Sequence, residues 1–315
     1  MEEKKKSYGE MQDRLLQDIQ EAIQRIRTSD VYKLFLGFIN LMHPYSLHNL
    51  ILIWSQCPDA TYVGGMKKLW NKVGRRVKKG ERAIRILRPV IKKVPVKADA
   101  SDTQEDLFGR EITVFDEADS QRGYEYRRIV VGYRVAYVFD ISQTEGEDLP
   151  AICRPLVGET ELYVLFNRFV RDKGYEIIEQ ENLNGAHGAT DYKSIWIEAG
   201  NSQSQKLKTL IHEYGHNYLE HNNTCAGDRP AMELQAETVA YLVCKDLGLD
   251  TSSYSFQYLT HWSEGMDDKK FAAVVSMAIT QAKHIAQDFR NYAGLTAQIE
   301  NDQDESPEEG ERKAA

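Results

Sequence analysis

A five-residue motif, His212-Glu213-Tyr214-Gly215-His216, carries the strongest chemical signal in the chain. On a helix, residues four apart share a face, so both imidazoles can reach one metal ion. The glutamate beside the first histidine can then take a proton from a water that the metal activates. The spacing therefore predicts a Zn²⁺ site of the hydrolytic type, with His212 and His216 as ligands and Glu213 as general base.

The surroundings of this motif argue against a chance match. At this composition, an HExxH pattern arises by chance in about one or two chains of this length per hundred. The flanking segment LKTLIHEYGHNYLEH places Leu207, Leu210 and Ile211 as a helix packed on a core would. The strand-like segment SIWIE, residues 194–198, precedes it. In zinc peptidases such a strand borders the cleft and can pair with an extended substrate, so we expect a substrate cleft here.

A third metal ligand is predicted downstream, in the helical segment PAMELQAETVA at 230–240. Glu233 and Glu237 are four residues apart and share a helix face. One of them can bind zinc while the other hydrogen-bonds a ligand histidine and fixes its tautomer. We predict Glu233 as the ligand and Glu237 as the hydrogen-bonding partner, because the apolar neighbours argue against two solvated glutamates.

Other histidines and several tyrosines compete for roles in this site. His221 lies five residues after His216, which is about 140° round a continuous helix, so we expect it to point elsewhere. His187 is flanked by glycines and is expected in a loop. A tyrosine often stabilises the developing oxyanion in such sites. The sequence offers three equal candidates: Tyr241, Tyr254 and Tyr258.

A basic segment indicates a second function. Residues 66–97 hold 13 Lys and Arg against one acidic residue, Glu81. Positive charge interleaved with aromatic residues is what a single-stranded nucleic-acid groove needs, with cations for phosphates and flat rings for bases. The alternative is a solvated basic face with Trp70 in the core. The candidate nucleic-acid contacts are Lys67, Lys68, Trp70, Arg75, Arg76, Lys78, Lys79 and Arg82.

Length and charge limit the possible domain organisation and cellular location of the protein. The chain has 315 residues and a formal net charge of −8, long enough for two domains. Residues 1–98 carry 20 Lys and Arg against 9 acidic residues, whereas the remainder carries 20 against 39. This asymmetry suggests two parts with different partners. No apolar run is long enough to span a bilayer, and the charged N-terminus lacks a secretory signal, so we expect a cytoplasmic protein.

Apolar periodicity and turn residues place the elements around these motifs. Helices are predicted at residues 10–27, 30–41, 46–56, 159–173, 201–221, 230–247 and 267–290. Strands are predicted at residues 75–78, 83–90, 129–138, 175–178 and 194–198. The HExxH motif thus falls in a long helix, and the two candidate glutamates fall in the next one.

The segment HEYGH followed by ELQAETVAYLVC resembles the ImmA/IrrE group of intracellular metallopeptidases and the peptidase half of ArdC-type antirestriction proteins. The stretches NLILIWSQCPDATYVGGMKKLWNKVGRRVKKGERAIRIL and VAYVFDISQTEG resemble the ArdC N-terminal domain. This likeness covers most of residues 30–290. It implies a single-stranded-DNA-binding domain fused to a zincin-like domain and carried on a mobile element. It also implies His212 and His216 as zinc ligands, Glu213 as base and Glu233 as the residue that completes the site.

These observations predict an α+β fold with two domains. Residues 1–145 are expected to form an ArdC-like α+β domain that binds single-stranded DNA, with a flexible insertion at 98–125. Residues 146–296 are expected to form the zincin-like metallopeptidase domain. Residues 297–315 are acidic and expected to be disordered.

The predicted function is a zinc metalloendopeptidase with an attached single-stranded-DNA-binding domain, acting as an antirestriction or mobile-element protein. Two alternatives stay open. One is a DNA-binding antirestriction protein whose zinc site is purely structural, although an intact Glu213 argues against it because a structural site needs no base. The other is a repressor-cleaving regulatory peptidase whose basic half is a docking surface, which weak and salt-insensitive DNA binding would favour.

Overall fold

The computed structural model describes residues 2–27, 29–39, 45–96, 125–147, 159–224, 228–249 and 265–295. In these ranges, helical layers pack with small sheets, which confirms the predicted α+β fold class. The predicted insertion at 98–125 lies outside the described residues except for residue 125, and the predicted tail at 297–315 lies wholly outside them. In the described part of the chain, no helix is both long and apolar enough to cross a membrane.

Three helices open the chain: α1 (Glu2–Ile26), α2 (Ser29–Phe38) and α3 (Leu47–Gln56). α1 buries Leu15 and Ile19, which lie four residues apart on one face, as the amphipathic pattern predicted. α3 buries apolar residues on several sides, as a core helix requires.

Within residues 45–96 and 125–147, five strands follow these helices. They are β1 (Val63–Gly64), β2 (Arg75–Val77), β3 (Ile84–Val96), β4 (Glu125–Asp140) and β5 (Thr144–Gly146). β3 and β4 form a long antiparallel hairpin in which Ile84 lies opposite Val138. β1 pairs with the other edge of β4, and β2 pairs with β5. The two predicted strands of this hairpin are therefore present and continue beyond their predicted ends.

A third sheet of the described chain packs beside the HExxH helix. After α4 (Glu159–Asp172) come β6 (Glu176–Gln180), β7 (Gly188–Thr190) and β8 (Ser194–Glu198). β8 lies in the middle of this sheet, parallel to β6 and antiparallel to β7. The expectation that SIWIE pairs with a substrate is wrong, because both edges of β8 are already bonded to neighbouring strands. In the described sheet, β7 is the edge strand beside the HExxH helix.

Four further helices complete the described fold. They are α5 (Gln203–Tyr218), α6 (His221–Thr224), α7 (Arg229–Asp246) and α8 (Asp268–Tyr292). α5 starts at the predicted cap, since the Ser202 side chain accepts a hydrogen bond from the Gln205 backbone N–H at 3.3 Å. The predicted single helix over 201–221 is wrong at its end. α5 stops at Tyr218, and Glu220 adopts a left-handed φ of 50° that reverses the chain before α6 begins.

Helices from both predicted halves share one hydrophobic core. Leu15 and Phe35 belong to the same buried cluster as Phe166 and Leu210. Buried polar contacts also join the halves: the Tyr32 and Thr238 hydroxyls lie 2.8 Å apart. This contact joins α2 to α7, which packs against α5 and α8. The predicted division after residue 145 stays a prediction.

Candidate metal centre

Two packed helices bring the three predicted ligand residues to one point. His212 and His216 lie on α5, and Glu233 lies on α7, which packs against α5. The Nε2 atoms of the two histidines are 3.2 Å apart. The Oε2 atom of Glu233 lies 3.6 Å from Nε2 of His212 and 3.8 Å from Nε2 of His216. The described residues thus contain a cluster of three groups that can hold a metal ion.

The size of this triangle fits a tetrahedral metal ion. Zinc bonds of about 2.0–2.2 Å place two ligand atoms roughly 3.3 Å apart. The three separations, 3.2, 3.6 and 3.8 Å, lie close to that value without any rearrangement of the helices. Two imidazole nitrogens and one carboxylate oxygen also leave one position open for a water or a substrate oxygen. The donor set therefore suits a divalent metal such as Zn²⁺.

Glu237 holds His212 from the side away from the cluster. Its Oε2 atom lies 3.1 Å from Nδ1 of His212, and its Oε1 atom lies 2.9 Å from Nζ of Lys208. In a neutral His212, an Nδ1–H that donates to Glu237 in this way leaves Nε2 available to bind a metal. This is the contact that the four-residue spacing of the two glutamates predicted.

His221 contacts His216, although the sequence predicts that His221 points away from the site. Nδ1 of His221 lies 2.7 Å from Nδ1 of His216, and its Nε2 lies 2.9 Å from Oε1 of Gln235 on α7. His221 is fully buried. The expectation failed because it assumed one continuous helix, whereas the left-handed Glu220 turns the chain back towards α5. Neither the turn nor Gln235 gave a signal in the sequence.

The charges of the cluster favour a positive ion at its centre. Burial alone would lower the pKa of His212, but the hydrogen bonds to Glu233 and Glu237 outweigh burial and raise it to about 10. Burial and repulsion from His212 lower the pKa of His216 to about 3. The hydrogen bond to His212 lowers the pKa of Glu233. The carboxylates of Glu233 and Glu237 therefore stabilise positive charge at His212, as they would stabilise a bound metal ion.

Glu213 points towards the edge strand β7 and is only 9 % exposed. Burial raises the pKa of its carboxyl, and although His212 opposes the shift, Glu233 adds to it. A Cβ atom on Gly188 of β7 would lie 3.1 Å from Oε1 of Glu213 and 2.4 Å from Cγ2 of Thr209. Only glycine lets the strand approach the helix this closely. The sequence showed this glycine beside a loop histidine and gave no sign that it touches the candidate base.

The sequence did not single out Tyr192, a tyrosine that precedes β8. It lies in the turn between β7 and β8 with a φ of 68°, a left-handed conformation that bulky residues rarely adopt. Its backbone N–H donates to Oγ1 of Thr190 at 3.0 Å, which helps to hold the turn. Burial raises the pKa of Tyr192, and the carboxylates of Glu213 and Glu233 raise it further, so the phenol lies within their field.

The remaining histidine and tyrosine candidates have other positions. His187 is an exposed loop residue, as predicted, with Nδ1 3.2 Å from Oδ1 of Asn201. Tyr241 is a buried residue of α7. Tyr254 and Tyr258 lie outside the described residues.

Trp70 belongs to the core and not to the basic surface. Its side chain is 0 % exposed, and its Nε1–H donates to the carbonyl oxygens of Gly64 at 3.0 Å and Phe139 at 3.1 Å. The prediction that Trp70 contacts nucleic-acid bases is therefore wrong, and the alternative placement in the core holds. The physical reason is that the indole fills the space under β1 and β4 while their carbonyls satisfy its N–H.

The predicted cationic contacts divide into two groups. Arg75 and Lys78 donate hydrogen bonds to oxygens of the segment at 142–147, and Arg76 forms an ion pair with Glu145 at 2.7 Å. The other four are exposed and make no ion pair or side-chain hydrogen bond within the described ranges. These four are Lys67, Lys68, Lys79 and Arg82.

Two further arginines face each other across the β3–β4 hairpin. Arg88 lies directly opposite Arg134 in the antiparallel register, and both side chains are exposed. Like charges at directly opposite positions destabilise a strand pair. Neither arginine has a carboxylate partner among the residues that the structure describes. The pair is thus an uncompensated positive site on the hairpin surface.

Family models and one curated relative match this chain. The model of the N-terminal domain of anti-restriction factor ArdC matches residues 5–139, and a peptidase-family model described as the IrrE N-terminal-like domain matches residues 171–247. An uncharacterized protein of Bacillus anthracis is 27 % identical over 301 residues, which is 85 % of this chain and 48 % of that protein. The chain therefore spans about half the length of this relative.

Two solved structures resemble the chain, both of the antirestriction ArdC protein from the R388 plasmid. The metal-free crystal structure is 18 % identical, covers 89 % of this chain and 99 % of that one, and gives a TM-score of 0.49. The Mn(II)-bound crystal structure is 15 % identical, covers 87 % and 97 %, and gives a TM-score of 0.44. From its two family matches, the chain has the ArdC-type architecture, in which an ArdC-like N-terminal domain precedes an IrrE-like domain of a peptidase family.

Proposed function

We propose that this protein is a metal-dependent peptidase, with Zn²⁺ as its metal. The observation that carries the proposal is the convergence of His212, His216 and Glu233 beside Glu213, inside the region that matches a peptidase family. A divalent ion held by the three ligands would supply Lewis-acid activation of a water and of the scissile carbonyl. The expected reaction is hydrolysis of an internal peptide bond.

Glu213 acts as the general base, and then as the general acid, in this reaction. Its carboxylate takes a proton from the attacking water and later delivers it to the leaving amine. A carboxyl whose pKa is raised by burial suits this task, because it can both accept and release a proton nearer to neutral pH. Tyr192, which lies within the field of Glu213 and Glu233, is our candidate for the group that stabilises the developing negative charge.

The edge of β7 supports an extended polypeptide as substrate. The N–H of Glu198 donates to the carbonyl of His187 at 2.9 Å, and the N–H of Asp191 donates to the carbonyl of Ser194 at 3.2 Å. Because bonded pairs alternate in an antiparallel ladder, the N–H and C=O groups of Gly188 and Thr190 point away from β8. A peptide segment can pair with these groups next to Glu213.

A comparison of the full chain with its Glu213→Gln variant tests the peptidase proposal. Both proteins are supplied with Zn²⁺ and incubated with a quenched-fluorescent peptide library, and their metal content is measured by elemental mass spectrometry. We expect about one zinc per chain in both, with cleavage slowed by about 10²–10⁴-fold in the variant because the base is lost. Zinc binding without any cleavage by the natural chain would instead favour a structural metal site.

We also propose that the N-terminal region binds single-stranded DNA. The observation that favours it is the unpaired Arg88 and Arg134 couple, since two guanidinium groups side by side bind a phosphate well. Four exposed cationic residues on the preceding segment, Lys67, Lys68, Lys79 and Arg82, extend the positive surface. Fluorescence anisotropy with a labelled single-stranded oligonucleotide tests the proposal. The absence of binding at low salt would contradict it and leave the basic surface as a protein-docking face.

A further inference from the structure

The two candidate ligand histidines are held by different kinds of partner. Nδ1 of His212 faces the carboxylate of Glu237 at 3.1 Å, whereas Nδ1 of His216 faces the imidazole of His221 at 2.7 Å. The second arrangement continues to Oε1 of Gln235, which lies 2.9 Å from Nε2 of His221. His221 is 0 % and Gln235 is 3 % exposed, so bulk water is excluded from this chain of hydrogen bonds.

Only one arrangement of protons lets His216 bind a metal through Nε2. A neutral imidazole that offers the Nε2 lone pair carries its proton on Nδ1. That N–H then donates to Nδ1 of His221, which must be unprotonated. His221 carries its own proton on Nε2 and donates it to the carbonyl oxygen of Gln235. The amide oxygen of Gln235 therefore fixes the tautomers of both histidines.

We propose that His221 and Gln235 are positioning residues that hold His216 in the orientation and tautomer required for metal binding. This inference rests on the proposed metal site. The turn after α5 then has a role, because the left-handed φ of 50° at Glu220 allows His221 to contact His216 on α5. Such backbone strain persists where the surrounding structure over-determines it.

His221 is not an alternative third ligand. Its Nδ1 atom points at His216, and its Nε2 atom points at Gln235, so neither nitrogen faces the triangle of ligand atoms. Glu233 remains the residue whose carboxylate oxygen lies within 4 Å of both ligand nitrogens, at 3.6 and 3.8 Å. His221 acts through His216 alone.

The test compares Zn²⁺ affinity in the natural full-length chain and in the His221→Leu, His221→Asn and Gln235→Leu variants, by competition with a chromogenic chelator. His221→Leu removes the acceptor, so we expect affinity to fall about 10–100-fold. His221→Asn keeps an acceptor oxygen close to the position of Nδ1, and its affinity should lie at least about fivefold above that of His221→Leu. Gln235→Leu should weaken binding in the same direction by a smaller factor.

A matched control separates positioning from general loss of stability. Thr238→Val removes a buried hydroxyl on α7 that bonds to Tyr32 and to the carbonyl of Leu234, away from His216. We expect it to lower the thermal midpoint of the metal-free protein while Zn²⁺ affinity stays within about twofold. If His221→Leu binds Zn²⁺ as tightly as the natural chain, or loses no more affinity than Thr238→Val at equal stability, the positioning role is overturned.

The natural chain supplies an independent readout if a variant does not fold. Long-range ¹H–¹⁵N spectra of the Zn²⁺-loaded protein report which imidazole nitrogen carries a proton. We expect His216 to be protonated on Nδ1 and His221 on Nε2, and the opposite tautomer of His221 would overturn the inference. If the natural chain binds no Zn²⁺, the proposed metal site itself fails, and the positioning role fails with it.

Discussion

Replacement of Gly188 by alanine tests how closely the edge strand β7 packs on α5, the helix of the HExxH motif. The added Cβ would lie 2.4 Å from Cγ2 of Thr209, whereas non-bonded carbon atoms prefer about 3.5–4.0 Å. Thr209 is buried and β-branched, so its methyl group cannot rotate away easily. The strand and the helix must therefore separate by about 1 Å.

Overpacking of this kind costs about 1–3 kcal/mol of unfolding free energy. With about 2.1 cal/mol/K of unfolding entropy per residue, the 315-residue chain loses about 1.5–4.5 °C of thermal midpoint. The displacement also moves the proposed substrate edge away from Glu213, and a misplacement of about 1 Å can slow catalysis about 10²-fold. Zinc affinity should stay unchanged, because the ligand residues lie on α5 and α7.

Thermal unfolding and cleavage of the fluorescent peptide library measure these effects. Gly200→Ala is the matched control, since its Cβ would meet only Oε1 of Glu198 at 3.8 Å, an ordinary contact. Adding Thr209→Ser to Gly188→Ala removes the clashing methyl and keeps the hydroxyl that accepts from Gln205 at 3.1 Å. The double variant should recover at least half of the lost stability. The reasoning is refuted if Gly188→Ala unfolds like Gly200→Ala, or if Thr209→Ser brings no recovery.

Two further predictions address the other proposed roles. Tyr192→Phe should lower kcat about 10²-fold while KM changes little, because the phenol would stabilise only the negative charge that develops in the transition state. An unchanged kcat would show that another group stabilises this charge. Replacing Arg88 and Arg134 together by alanine should reduce the slope of log K against log salt for single-stranded-DNA binding by about 0.7, since the pair is proposed to bind one phosphate and each phosphate contact contributes about 0.7. Equal slopes for the natural chain and the double variant would exclude the arginine pair from the interface.

The sequence predicted the parts of the site that depend on local helix geometry. His212 and His216 face one point because four residues make slightly more than one helical turn. Glu233 and Glu237 meet the cluster for the same reason, one as a potential ligand and the other against Nδ1 of His212. The family resemblance, carried by these motifs and by the N-terminal stretches, is confirmed by the two family matches.

The basic segment shows where composition alone misleads. Charge density placed Trp70 among candidate nucleic-acid contacts, but the indole is buried with both neighbouring strands as hydrogen-bond partners. The arginine pair of the hairpin was missed, because Arg88 and Arg134 are far apart in the sequence and become neighbours only through strand register. A segment's charge is visible in the sequence, whereas the side of the molecule that it faces is not.

By itself the sequence determined the motif helix, the ligand spacing and the fold class, since these follow from periodicities of the chain. Tertiary structure alone decided that His221 contacts His216, that β7 and not SIWIE is the edge strand beside α5, and that Gly188 must be a glycine. Each of these three features depends on a reversal of the chain or on the pairing of two strands. The distance between the residues along the sequence does not predict that they meet. The left-handed turn at Glu220 is the clearest case, because this backbone conformation brings His221 into contact with His216, the proposed metal ligand.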